Sequence, residues 1–164
     1  MPEGRLRDKI ALVTGAGAGI GAGIARVLAR EGARVFASDV DAVASSQTAE
    51  AIRAAGGEAF DLALDVTKGQ DITAAFRRIE EEQGRLDVVV NNAGLNVRAD
   101  FRHLSDADWV TIREVNLDGV VRIARDAFDL MRASGNASLI NVASIMGHRG
   151  LRQLAGYSAT KGAV

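Results

Sequence analysis

Cysteine is absent from this 164-residue sequence, which excludes disulfides and thiolate metal sites and suits a reducing cytoplasm. Proline occurs once, at Pro2, and tyrosine once, at Tyr157. Lysine is confined to Lys9, Lys68 and Lys161. Neither sign of charge is in excess: 20 Lys and Arg against 21 Asp and Glu give a formal net charge of −1. With no basic surplus there is no counterion-release term to hold nucleic acid, so that partner is set aside. No apolar run is long enough for a membrane span or a signal peptide. The expected setting is cytoplasmic, with no membrane partner. His103 and His148 are too isolated to suggest a metal site, and none is expected.

What is present is ordinary for a globular chain, with 48% hydrophobic and 25% charged residues. No linker, repeat or low-complexity tract divides it, so residues 1–164 read as one domain. Short apolar runs alternate with amphipathic stretches, the mark of a parallel α/β architecture. Strands are expected at Ile10–Thr14, Arg34–Asp39, Ala59–Leu64, Asp87–Val90 and Ser138–Ala143. Helices are expected at Gly19–Glu31, Asp41–Ala55 and Asp71–Gln83, then one long helix opened by a Ser105/Asp108 capping box, then one from Leu154 onward. The first should bury Ile20, Ile24 and Leu28, and the third Ile72, Phe76 and Ile79. The long helix should bury a stripe of Trp109, Ile112, Asn116, Val120, Ile123 and Ala127. Right-handed crossovers then predict a doubly wound, Rossmann-type sheet of order 3-2-1-4-5, with ligands beyond the carboxyl ends of its strands.

The motifs fall at those strand ends. Gly15, Gly17, Gly19 and Gly21 follow the first strand, with Ile20 among them, and open the first helix. Such a turn lets backbone approach a pyrophosphate, and the helix start offers unpaired amides. Asp39 ends the second strand, 18 residues past Gly21. A carboxylate there accepts from ribose hydroxyls and repels a 2′-phosphate, which predicts NAD over NADP. Asp41 is a rival for that role. Asp65-Val66 follows the third strand, and Asn91-Asn92-Ala93-Gly94 the fourth. Tyr157 and Lys161 stand four apart, on one face of the last helix. A neutral phenol is a weak base near pH 7, and a neighbouring ammonium favours the phenolate. Ser144 lies 13 residues before Tyr157, within reach of one pocket. Asn116 by itself reads as a satisfied core amide.

No G-x-G-x-x-G pattern can be laid on the glycines. Instead Gly15, Gly19 and Gly21 give T-G-x-x-x-G-x-G. Together with N-N-A-G at Asn91–Gly94 and Y-x-x-x-K at Tyr157–Lys161, this resembles the short-chain dehydrogenase/reductase family, over essentially the whole chain. A sugar-nucleotide epimerase or dehydratase also uses Y-x-x-x-K, but with T-G-x-x-G-x-x-G spacing, which is absent here.

The resemblance implies an NAD-dependent oxidoreductase interconverting a small alcohol and a ketone, with a catalytic set Asn116, Ser144, Tyr157 and Lys161. In that scheme Tyr157 exchanges a proton with the substrate oxygen and Ser144 hydrogen-bonds the same oxygen. Lys161 favours the phenolate and holds the nicotinamide ribose. Asn116, through its helix backbone, keeps a water that links Lys161 to solvent. Asp65 and Val66 would border the adenine; Asn92, Ala93 and Gly94 would follow the ribose side. A homotetramer or homodimer built on the last two helices is implied as well. The family fold continues past the Tyr157 helix, so the resemblance also implies an incomplete carboxyl-terminal part, with an exposed apolar edge on the last strand. The other reading is an inert nucleotide-binding or structural fragment. Arg98, Arg102, His148, Arg149 and Arg152 flank the expected substrate end, where they could meet a polar or anionic substrate; the sequence favours the plainer reading of solvated surface residues.

Overall fold

The computed structural model describes residues 4–164. Five strands, β1 (Ile10–Thr14), β2 (Arg34–Asp39), β3 (Glu58–Ala63), β4 (Val88–Asn91) and β5 (Ser138–Asn141), form one parallel sheet of order β3-β2-β1-β4-β5. This is the expected doubly wound order. β1 is central and buried at every position. Alternate residues on it serve opposite faces, as the pleat requires. Leu12, opposite Phe36 and Val89, enters a core of large side chains that includes Ile72, Phe76, Ile79 and Ile123. Ala11 and Val13 enter a second core dominated by small ones: Ala25, Ala29, Ala37 and Ala49.

That division follows the helices. α3 (Gly69–Gln83) and α5 (Gly119–Asp126) cover the first face, and α1 (Gly19–Arg30) and α2 (Ala42–Ala54) the second. The expected face of α1 is met only in part: Ile24 and Leu28 are partly buried against the second core, but Ile20 is not. Ile20 is 70% exposed, and the buried residues are Gly21, Ala22, Ala25 and Ala29. Small side chains let α1 lie close to the sheet, and larger residues at those positions would hold it off. α3 buries Ile72, Phe76 and Ile79 as expected, begins two residues earlier, and ends on Gly84 in the left-handed conformation.

The long helix is not continuous. α4 (Asp106–Arg113) passes into a π turn (Glu114–Asp118), then α5, and a break at Ala127 precedes α6 (Phe128–Ser134). Ile112, Asn116, Ile123 and Ala127 of the expected stripe are buried; Trp109 and Val120 are only partly so. The Ser105 hydroxyl does cap α4, accepting from the Asp108 amide at 3.0 Å. The Asp108 carboxylate returns to that hydroxyl, at 2.7 Å, instead of to the Ser105 amide of a full capping box. β5 pairs with β4 alone, and its Leu139 and Ile140 are exposed. The last helix, α7 (Ala155–Ala163), packs on the π turn and on a 3-10 turn at Ile145–Gly147. No helix among the described residues is long and apolar enough to cross a membrane.

Candidate active site

The glycine turn is tied to its neighbours by backbone. The Ala16 amide donates to Ser38 O at 2.7 Å, and the Gly17 amide to Asp39 Oδ2 at 2.9 Å. Only glycine fits at Gly17, where a Cβ would come within 2.8 Å of that carboxylate oxygen and 2.7 Å of Ala44 Cβ. At Gly21 a Cβ would collide with the Gly15 carbonyl. The Asp41 carboxylate caps α2, accepting from the Val43 and Ala44 amides at 2.9 and 3.1 Å through Oδ1. Asp39, at the end of β2, also accepts from the Asp41 amide.

α1 is treated differently from α2. Its N-cap is Ala18, and no side chain caps it. The first-turn amides thus stay available to an outside acceptor, with the positive end of the helix behind them. Ile20 projects from that turn. A Cβ on Gly19 would meet nothing within 4 Å, so the space in front of the turn is open. Open amides, Cβ-free approach and a carboxylate one strand away fit a dinucleotide.

Thr14 organises the junction of β1 and β4. Its hydroxyl accepts from the Asn92 and Ala93 amides, at 3.1 and 3.0 Å, and donates to Val90 O. The Asn92 side-chain amide donates to Thr14 O and Gly15 O, both at 3.0 Å. Thr14 is the threonine of the T-G-x-x-x-G-x-G motif, and its bridge between β1 and β4 is a contact that the motif's spacing does not encode. The Asp65 carboxylate takes the Thr67 amide and hydroxyl and lies 3.3 Å from Lys68 Nζ. Burial alone would raise its pKa. The two Thr67 hydrogen bonds and Lys68 outweigh that and hold it below the usual range. Val66 is buried, close against Gly119.

The catalytic candidates lie on adjoining elements past the ends of β4 and β5: the π turn, the Ile145–Gly147 turn and α7. Lys161 is 6% exposed, and its ammonium donates to Val142 O, just past β5, at 2.6 Å. Among the described residues it has no carboxylate partner, and desolvation pushes its pKa down. Gly94 faces both Lys161 and Asn116. A Cβ there would lie 3.6 Å from Lys161 Nζ and 3.3 Å from Asn116 Oδ1. The Asn116 side chain clamps the chain after Gly94: Oδ1 accepts from the Leu95 amide at 2.8 Å, while Nδ2 donates to Leu95 O at 2.9 Å and to Thr160 Oγ1 at 3.2 Å. Asn116 is thus a satisfied core amide that also joins β4, the π turn and α7. Ser144 begins the 3-10 turn, its hydroxyl accepting from the Met146 amide at 3.1 Å. That turn presses on α7, for a Cβ on Gly147 would come within 2.5 Å of Lys161 O. Tyr157 is half-buried one helical turn before Lys161, and no described protein group hydrogen-bonds its hydroxyl. The described residues contain no cluster of three or more His, Asp or Glu able to hold a metal.

Sheet order, uncapped first helix and converging strand ends define a Rossmann-type nucleotide fold. The model of the short chain dehydrogenase family matches residues 9–164, and the chain belongs to that family, whose members use a nicotinamide cofactor. A cyclopentanol dehydrogenase of Comamonas sp. is 40% identical over 161 residues, covering 98% of this chain and 64% of the relative. A 3beta-hydroxysteroid dehydrogenase of Mediterraneibacter gnavus is 38% identical over 162 residues, covering 98% of this chain and 58% of the relative. Among solved structures, a gluconate 5-dehydrogenase from Burkholderia cenocepacia, in complex with NADP and tartrate, superposes with a TM-score of 0.91 at 36% identity. That match covers 97% of this chain and 62% of the other. The chain thus spans less than two thirds of these relatives. The NADP in that neighbour lends no weight to the expectation of NAD.

Proposed function

We propose that the protein carrying this chain is an alcohol–ketone oxidoreductase of the short-chain type, with Tyr157 as its general acid and base. The observation that carries the reading is Lys161: a buried ammonium without a carboxylate, between the ends of β4 and β5, with Tyr157 one turn away and Ser144 two residues past its acceptor Val142. Such an ammonium disfavours positive charge around it and favours a phenolate nearby. A bound nicotinamide dinucleotide would supply the hydride acceptor or donor.

The chain's own residues do the rest. Uncapped α1 amides and the glycines from Gly15 to Gly21 would hold the cofactor's pyrophosphate. Asp39 would accept from the adenosine ribose hydroxyls, with Asp65 and Val66 toward the adenine. Asn92, Ala93 and Gly94 would border its reacting end, and Lys161 would donate to the ribose hydroxyls there. Tyr157 takes a proton from the carbinol oxygen, or returns one to the carbonyl oxygen, while Ser144 donates a hydrogen bond to that oxygen and stabilises its developing charge. Asn116 holds the Leu95 turn and α7 in mutual register. Asp39, a carboxylate at the end of β2 held beside the glycine turn by the Gly17 amide, supports preference for NAD. Subunits meeting through the last two helices belong to the same reading.

Tyr157→Phe decides the central assignment. Turnover should fall by roughly three orders of magnitude while cofactor binding, followed by fluorescence titration, survives. Near-normal turnover would remove Tyr157 from the proton path. Parallel titrations with NAD(H) and NADP(H) test Asp39. Wild type should bind NAD(H) more tightly, Asp39→Ala should narrow the gap, and tighter NADP(H) binding by the wild type overturns the preference.

A further inference from the structure

We infer that the mouth of this site selects an anionic substrate, a hydroxy or keto acid whose charge sits beyond the reacting carbon. The inference rests on the oxidoreductase reading. Two segments flank the substrate end: residues 95–104 after Gly94, and residues 145–154 between Ser144 and Tyr157. A single backbone hydrogen bond ties them, Ala99 N–H to Gln153 O at 3.2 Å. Arg98 and Arg152 are each one residue from that bond. Arg149 stands at the end of the Ser144 turn, its amide on Ile145 O at 2.9 Å.

Most arginines of this protein are neutralised, as in Arg5–Glu31, Arg34–Glu58, Arg78–Glu82 and Arg122–Glu114. Arg98, Arg149 and Arg152 are exposed and meet no carboxylate among the described residues. The two segments contain one acid, Asp100, and Arg102 takes it at 3.3 Å. Arg26, Arg30 and Arg77 also meet no carboxylate among the described residues, but they lie on α1 and α3; the two mouth segments carry four arginines against one acid, in a chain whose formal net charge is −1. Guanidinium groups bind carboxylates through paired N–H donors and lose little hydration in doing so. A mouth of this kind draws anions in and seats them beside Tyr157.

The test uses the whole enzyme with 3-hydroxybutyrate, 4-hydroxypentanoate and 4-hydroxycyclohexanecarboxylate, each beside its methyl ester. The acids should exceed their esters in kcat/KM by about tenfold, and the advantage should shrink toward about 0.3 M salt. Arg98→Ala/Arg152→Ala should raise KM for the acids by about tenfold, with kcat and the ester kinetics nearly unchanged. Esters turned over as well as acids, or an unchanged acid KM in the double variant, would overturn the inference and leave the oxidoreductase reading intact. Calorimetric binding of the matching keto acids separates the two claims. Keto-acid binding that is lost in the double variant, in an enzyme that oxidises none of the alcohols, upholds anion selection and sinks the proposed reaction. No keto-acid binding to wild type sinks the inference itself.

Discussion

The two ends of the sheet handle buried polar groups in opposite ways. At the amino end Asp87, 3% exposed, is saturated: the Ile10 amide, Lys9, Arg85 and the Ser134 hydroxyl all donate to it, at 2.9, 3.1, 3.2 and 2.6 Å. These donors join the starts of β1 and β4 to the end of α6. At the carboxyl end, among the described residues, Lys161 has one acceptor and no counter-charge, the Tyr157 hydroxyl has no partner, and the α1 amides are uncapped. A saturated knot holds elements together, whereas the sparsely partnered groups are those assigned to cofactor and substrate in the proposed function. The expected division is stability at one end and chemistry at the other.

The sharpest way to break this comparison is Lys161→Met. Activity should drop by roughly three orders of magnitude, about 4 kcal/mol in the barrier, while the melting temperature holds or rises because an unpaired buried ammonium has gone. A large fall in melting temperature would make Lys161 structural. Asp87→Ala should do the reverse. It strands the Ile10 amide and two cations, so stability measured by urea unfolding should fall by about 3 kcal/mol, with cofactor affinity unchanged. Thr14→Val lies between the two. It removes the acceptor of the Asn92 and Ala93 amides, and should cost about 1–2 kcal/mol and also weaken cofactor binding, because those amides sit beside the glycine turn.

Acid gives the finest discrimination. Burial would raise the Asp87 pKa, but Ser134, Ile10, Lys9 and Arg85 together hold it below the usual carboxylate value. A depressed folded pKa means that the unfolded chain binds the proton first as pH falls. The Asp87 contribution is therefore whole at neutral pH, begins to fade near the unfolded carboxylate pKa of about 4, and disappears as pH drops through the folded value. Asp65, lowered for the reasons given above, adds in the same direction. Unfolding free energies of Asp87→Asn should accordingly decline less steeply from neutral pH into acid than those of wild type. Parallel curves would remove Asp87 from the acid response.

The sequence disclosed the sheet because its central strands are buried on both faces and so read as unbroken apolar runs, β1 and β4 most of all. Motifs at strand ends were legible for the same reason: once strand ends are known, a parallel sheet fixes where they gather. Other features depended on contacts distant in sequence. The burial of Ala22, Ala25 and Ala29 in place of Ile20 reflects how closely α1 approaches the sheet, which local periodicity does not encode. Periodicity also spaced Trp109 to Ala127 as one helix, since a single wide turn barely disturbs a stripe. The clamp of Asn116 on Leu95 and Thr160 spans 21 and 44 residues and leaves no local trace. The Ala99–Gln153 tie is hidden in the same way.

The wide turn at Glu114–Asp118 has one more consequence. A π turn holds about one residue more than the α turn it replaces. Removing one residue there would let the backbone close into a regular α turn with the flanking stretches still in phase, so Ile123 and Ala127 would stay on the sheet. The loss would fall on the widened turn itself, where Asn116 reaches Leu95 and Thr160. This short stretch is therefore the place on the helix where the core should tolerate a one-residue deletion while the Asn116 clamp does not.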